Sequence, residues 1–167
     1  MALHVYNTLS KKKEEFAPIK AGHVGMYLCG PTVYSFLHVG NFRGPIVFNL
    51  IRNWFEYRGY KVTFVYNYTD VDDKIIEASI KAGLDSKVWS ERYIAEFEKD
   101  FKALKLRPHD HNPRVTDHLP EIVEMIATLI EKKKAYVVGG EVLYAVRSFE
   151  GYGKLSHKNL DELQSGI

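Results

Sequence analysis

At 167 residues, of which 46% are apolar, the chain is long enough to bury one hydrophobic core and to carry a small appended subdomain. Its 23 basic and 21 acidic residues leave a formal charge of +2, which excludes the strongly basic balance of a protein that holds nucleic acid by charge alone. No apolar run approaches the roughly 18 residues of a membrane span, the first residues lack the regions of a secretory signal, and a lone cysteine rules out an internal disulfide; a cytoplasmic protein without membrane contact is expected.

In chain order, the first readable element is the run Val24 to Leu28, rich in strand formers and stopped by Cys29-Gly30-Pro31. From Gly44 onward, Ile46, Val47, Leu50, Ile51, Trp54 and Phe55 recur at helical spacing and predict an amphipathic helix stopped by Gly59. Val62, Phe64 and Tyr66 alternate with Thr63, Val65 and Asn67. Both sets are moderately apolar, as in a strand covered on both faces of a parallel sheet. Strand, loop, helix and strand make a crossover unit, almost always right-handed, and such sheets bind ligands beyond the carboxyl ends of their strands. Here those ends are the segments beginning at Cys29 and Asn67.

Helices are predicted over Lys74 to Ala82 and Lys87 to Leu104, the second with Trp89, Tyr93, Ile94, Phe97 and Phe101 on one side. Leu106 to Pro113 is polar and bracketed by prolines, which predicts a solvated loop; His109-Asp110-His111 has metal-ligand residue types without metal-ligand spacing. A further helix is predicted from Leu119 or Pro120 to Lys134. The runs 135–138 and 142–146 then flank Gly139-Gly140-Glu141 as a hairpin.

Chemistry concentrates between Tyr27 and Asn41. His38-Val39-Gly40-Asn41 stands between a strand and a helix, where imidazole and amide groups join the backbone N–H donors of a helix start, an arrangement that suits phosphate. Gly40 lets a base or phosphate approach the backbone closely. A helix cap formed by Asn41 or a neighbour accounts for the same string without a ligand. After the second strand, Thr69 or Asp70 is expected to cap a helix, with Asp72 and Asp73 favouring its positive end.

Together with Tyr6-Asn7-Thr8-Leu9, Lys13-Glu14-Glu15-Phe16, Gly25-Met26-Tyr27, the run from Asn67 through Asp70-Val71-Asp72-Asp73 to Ile76, and Tyr152-Gly153-Lys154-Leu155-Ser156, this stretch resembles the class I aminoacyl-tRNA synthetases, most closely their cysteinyl members. The resemblance covers essentially the whole chain. It implies an α/β fold: the first half of a Rossmann-type parallel sheet, followed by helices and a small β-hairpin of the connective insertion. Residues 1–115 would form the first half of the nucleotide-binding domain with a helical extension, and residues 116–167 the start of the insertion.

The implied enzyme is a ligase that activates L-cysteine with ATP and Mg2+ to cysteinyl-adenylate and passes it to tRNA(Cys), the full-length protein acting as a monomer. His38 matches the first motif histidine, which steadies charge at the α-phosphate. Asn41 stands where the second usually lies, and its amide can donate a hydrogen bond but carries no charge. Pro31, Thr32 and Gly40 join them around ATP. Cys29 matches a ligand of a Zn2+ ion that takes the substrate thiolate, with Gly30 and Thr69 holding the amino acid. A soft metal with an open position favours that thiolate over the hydroxyl of serine. The family's Lys-Met-Ser-Lys-Ser-like loop and its further zinc ligands, a cysteine, a histidine and a carboxylate, do not occur here and are expected beyond Ile167, so the isolated chain is expected to be inactive. Two other readings stay open at this level: a non-catalytic synthetase-like module that binds a nucleotide or a partner, and a relative that joins cysteine to an amino sugar.

Overall fold

A computed structural model describes residues 2–162. In chain order its elements are β1 (His4–Asn7), β2 (Lys12–Glu15), β3 (His23–Leu28), α1 (Val39–Tyr57), β4 (Lys61–Tyr66), α2 (Asp73–Ala82), α3 (Ser86–Ala103), α4 (Leu119–Glu131), β5 (Ala135–Val138) and β6 (Glu141–Tyr144). They fall into two compact units, Pro18–Leu119 and Met1–Ala17 with Pro120–Ile167. No helix among the described residues is long and apolar enough to cross a membrane.

In the unit Pro18–Leu119, β3 and β4 pair in parallel, with Val24 opposite Val62, Met26 opposite Phe64 and Leu28 opposite Tyr66. Those six side chains share one face because strand side chains alternate. That face carries the core: Tyr66 and Tyr68 meet Phe42 of α1, Ile75 of α2, and Tyr93, Ile94, Phe97 and Phe101 of α3. Phe97 stacks on Phe42 at 5.4 Å and on Tyr66 at 5.8 Å between ring centroids. The α3 stripe expected from helical spacing is therefore the packed one. The opposite sheet face is open, not covered as the mixed composition of β4 suggested: Tyr27 is 61% exposed, and His23 Nε2 pairs with Thr63 Oγ1 across that face at 2.9 Å.

Helix α1 starts at Val39, ahead of the expected Gly44. Gly44 and Pro45 discourage a helix locally, yet His38 caps it upstream and Pro45 is accommodated in its interior as a buried residue. Its end at Gly59, with φ +87°, is as expected. Helix α2 is capped by Asp72, whose carboxylate accepts the Lys74 N–H at 3.0 Å, and not by Thr69 or Asp70, which are engaged elsewhere. Asp85 caps α3 through the N–H groups of Lys87 and Val88.

Leu106 to Pro113 is a largely exposed loop, as expected, but it is tied to β4 by backbone hydrogen bonds. Tyr66 N–H donates to His111 O at 3.0 Å, Asp110 N–H to Phe64 O at 2.9 Å and Tyr68 N–H to Pro113 O at 2.9 Å, so the segment runs parallel to β4 as an irregular third rail. Arg52, buried within α1, clamps it: the guanidinium donates to Pro108 O at 2.7 Å and pairs with Asp110 at 3.4 Å, while Asp110 also accepts the Phe64 N–H at 2.7 Å. His109 stacks on Tyr66 at 4.6 Å and packs edge-on to Phe64 at 4.9 Å. Burial, with the Arg52 charge adding, pushes its pKa down to about 4.

In the other unit, β1 and β2 form an antiparallel hairpin with Val5 opposite Glu14. Lys12-Lys13-Glu14-Glu15 shows no apolar alternation, which is why the sequence did not reveal it. β5 and β6 pair with Val137 opposite Val142, turned by Gly139 at φ +59° and Gly140 at φ +87°, the pair of positive dihedrals a tight hairpin needs. β6 stops at Tyr144, short of residue 146, because the chain turns into a short 3-10 helix at Val146–Ser148. α4 ends at Glu131, ahead of the expected Lys134, and none of its residues is buried.

Candidate active site at the carboxyl ends of the parallel strands

Where β3 ends, Cys29 is an exposed free thiol, its Sγ 3.8 Å from Gly30 O. Gly30 lies against the residue that ends β4's line: its N–H donates to Asn67 Oδ1 at 2.8 Å. The Tyr27 hydroxyl donates to the same oxygen at 3.0 Å. A Cβ on Gly30 would stand 1.5 Å from Asn67 O, so only glycine allows this approach. Beneath them, burial pushes the Tyr66 phenol up to about 12, with the nearby Cys29 thiol adding to the rise.

Thr69 holds the next stretch. Its N–H donates to Pro31 O at 3.0 Å and its carbonyl accepts the Val33 N–H at 3.1 Å, a parallel bridge centred on Thr32 and Thr69. The following residue, Asp70, is buried and accepts both the N–H of Thr116, at 3.0 Å, and its hydroxyl. Residues 34–37 are pinned on α3: Trp89 Nε1–H donates to Tyr34 O at 2.9 Å, and Phe36 meets Tyr93 edge-on at 5.3 Å.

At the start of α1, His38 and Asn41 form a reciprocal cap. His38 Nδ1 accepts the Gly40 N–H at 3.1 Å, and Asn41 Oδ1 accepts the His38 N–H at 2.9 Å. A Cβ on Gly40 would come within 2.9 Å of the His38 ring, so the glycine seats the imidazole. Because Nδ1 accepts, the ring carries its proton on Nε2; because Oδ1 of Asn41 is taken, its NH2 group remains for donation. The Gly40 and Asn41 backbone N–H groups expected to face a phosphate are instead bonded to His38. The side-chain donors of His38 and Asn41 are among those this helix start can still offer outward.

Direct contacts thus bring Gly30 and Tyr27 together with Asn67, with Cys29 adjoining Gly30 in the chain, and Pro31 and Thr32 together with Thr69; His38, Gly40 and Asn41 form a neighbouring cluster joined to them through residues 33–37. Among the described residues no group of three His, Cys, Asp or Glu could hold a metal, so Cys29 fits as one soft, accessible donor and nothing more. His109-Asp110-His111 serves the fold, as wall and clamp. An apolar cleft of about 470 Å³ opens between α3 and this segment, lined by Tyr68, Phe97, Phe101, Leu106 and His109 among others, and none of the expected site residues lines it. The sequence reads Asn67, Asp70 and Trp89 as a strand end, a helix cap and part of a helical stripe, but not as the supporting residues they are. Asn67 could have been found as the polar residue that breaks an alternating strand at its ligand end, and Trp89 as an indole whose N–H needs a partner.

The family described as tRNA synthetases class I (C) catalytic domain matches residues 15–167. The chain is 56% identical over 98% of its length to a cysteine–tRNA ligase from Bdellovibrio bacteriovorus, covering 34% of that protein. It is 51% identical to one from Enterococcus faecalis, over 98% of this chain and 35% of the other. It spans about a third of the length of these relatives. Among solved structures, the methionyl-tRNA synthetase of Mycobacterium tuberculosis, in complex with methionyl-adenylate, shares the fold with a TM-score of 0.60 at 17% identity, over 73% of this chain and 28% of that one. A parallel strand pair joined by a capped helix, with a match over nearly all its residues, means that the chain belongs to the class I (C) tRNA synthetase catalytic-domain family.

Proposed function

We propose that this chain is the amino-terminal third of a cysteine–tRNA ligase and contributes one half of the pocket in which cysteine and ATP react. The observation that carries the reading is the exposed Cys29 thiol at the end of β3, beside Gly30 and one loop away from the His38–Asn41 cap. In this reading Gly30 and Thr69 hold the amino acid, and Pro31, Thr32 and Gly40 line the nucleotide. The Nε2–H of His38 and the NH2 of Asn41 donate to ATP where charge develops as the cysteine carboxylate attacks the α-phosphorus. Fixed donors at that position stabilise the transition state more than the ground state. Mg2+ accompanies ATP. Cys29 would be this chain's ligand to a zinc ion, which when bound accepts the substrate thiolate.

The adenylate is then transferred to tRNA(Cys), by a parent protein that is monomeric and cytoplasmic. Residues 1–115 are assigned to the first half of the nucleotide-binding domain and 116–167 to the start of the connective insertion. The test is cysteine-dependent ATP–pyrophosphate exchange by a parent protein of the relatives' length, with and without His38→Ala. The expected result is exchange that falls about 10²- to 10³-fold in kcat on substitution. A parent that does not exchange with cysteine overturns the reading, and one that exchanges but charges an amino sugar in place of tRNA selects that alternative.

A further inference from the structure

The last residue pair of the parallel ladder is Leu28 with Tyr66, so the next positions are Cys29 on one strand and Asn67 on the other. The ladder does not continue there. The chain bends so that Gly30 lies directly on the Asn67 backbone, and the Asn67 side chain takes over the pairing. Its single carboxamide oxygen receives the Gly30 N–H at 2.8 Å and the Tyr27 hydroxyl at 3.0 Å. An amide oxygen has two acceptor sites, and both are filled. One atom of Asn67 therefore ties down Tyr27, two residues before Cys29, and Gly30, the residue after it.

We infer that Asn67 is a positioning residue for the Cys29 thiol, fixing the direction in which the end of β3 presents it without touching the sulfur. The inference rests on the proposal that Cys29 faces metal and substrate, and adds what aims it. A thiol that ligates a metal, or borders a substrate sulfur, works only when held within about half an ångström of its productive place. Among the described residues no other side-chain bond at the strand end supplies that restraint: Gly30 has no side chain, and the Cys29 Sγ itself lies 3.8 Å from Gly30 O, a weak contact. The nucleotide side is held separately, through the Thr69 backbone bonds to Pro31 and Val33 and the His38–Asn41 cap. Loss of the Asn67 bonds should therefore fall on cysteine and metal, and spare ATP.

The experiment uses the zinc-loaded parent protein and compares wild type, Asn67→Ala, Asn67→Asp and Tyr27→Phe. It reads KM for cysteine and for ATP in pyrophosphate exchange, the rate of zinc release to a chromogenic chelator, and melting temperature. Asn67→Ala leaves the half-buried Gly30 N–H without its partner, and is expected to raise KM for cysteine and zinc release each by about tenfold, with KM for ATP unchanged and melting temperature lowered by only a few degrees. Asn67→Asp accepts the same two hydrogen bonds and should recover most of the loss; Tyr27→Phe, which removes one of them, should show a smaller effect on the same two readouts.

Wild-type cysteine KM and zinc release in a folded Asn67→Ala protein would overturn the inference, and so would equal rises in both KM values or equal damage by Ala and Asp. If Asn67→Ala does not fold, Tyr27→Phe decides: no change in KM for cysteine or in zinc release counts against the positioning role. A wild-type parent that shows no exchange with cysteine, yet loses zinc faster on Asn67→Ala, sinks the ligase reading and keeps this one.

Discussion

Helices α3 and α4 carry similar apolar stripes and meet different fates. Tyr93, Ile94, Phe97 and Phe101 of α3 are buried against Tyr66 and Tyr68, whereas Ile122, Val123, Met125, Ile126 and Ile130 of α4 are all exposed. The same contrast holds for the units that contain them. Among the described residues, Ala135 is the only buried residue outside Pro18–Leu119. Helical spacing states which face needs cover; whether cover is present depends on residues far away in sequence. The candidate site lies in the covered unit, where strand ends and the first turn of α1 are held by a core.

The contrast is broken or sharpened most strongly by truncation. Phe97→Ala removes a ring stacked between Phe42 and Tyr66 and is expected to cost about 3–5 kcal/mol in urea unfolding, while Ile126→Ala on α4 should stay within about 0.5 kcal/mol. Equal costs would show that exposure of α4 does not describe the protein in solution. Gly30→Ala is expected to come next, at about 1–3 kcal/mol, because the new methyl group must push the Asn67 carbonyl aside; the unfolding midpoint reads the cost and KM for cysteine reads the displacement of Cys29. A neutral Gly30→Ala would mean the strand ends are not in contact.

The effect of His109 is absent at neutral pH and appears only in acid. Its folded pKa of about 4 lies below the unfolded value near 6.5, so the unfolded chain binds the proton more readily between them. Stability is fully present above about pH 6.5 and declines as pH falls toward 4, with no further loss from this group below that. His109→Gln should flatten the decline in melting temperature across that window. A parallel decline in both proteins would place His109 in water, as the polar sequence around it first suggested.

Much of the crossover was legible because its signals are local. Val24 to Leu28 and Val62 to Tyr66 have strand composition, Gly59 ends the helix with a positive φ, and two glycines turn the β5–β6 hairpin. What was missed depends on partners distant in sequence. Leu106 to Pro113 reads as a loop by composition, and becomes a rail only because β4 offers an open edge and Arg52 a buried guanidinium, 56 positions from Pro108. The cap of α2 shifted to Asp72 because Thr69 had already paired with Pro31 and Val33, and Asp70 with Thr116. At the site, Cys29, His38 and Asn41 were legible from a motif; that His38 occupies its own helix amides, and that Asn67 flanks Cys29 on both sides, are side-chain-to-backbone geometries that no residue pattern specifies.

The claim that the ends of β3 and β4 receive the amino acid is tested most directly by cysteine-dependent pyrophosphate exchange in the parent protein carrying Cys29→Ser. The expected result is a rise in KM for cysteine of about 10²-fold, with KM for ATP unchanged, as a hydroxyl replaces the thiolate donor. Wild-type KM for cysteine in that variant would contradict the placement of the substrate beside Cys29.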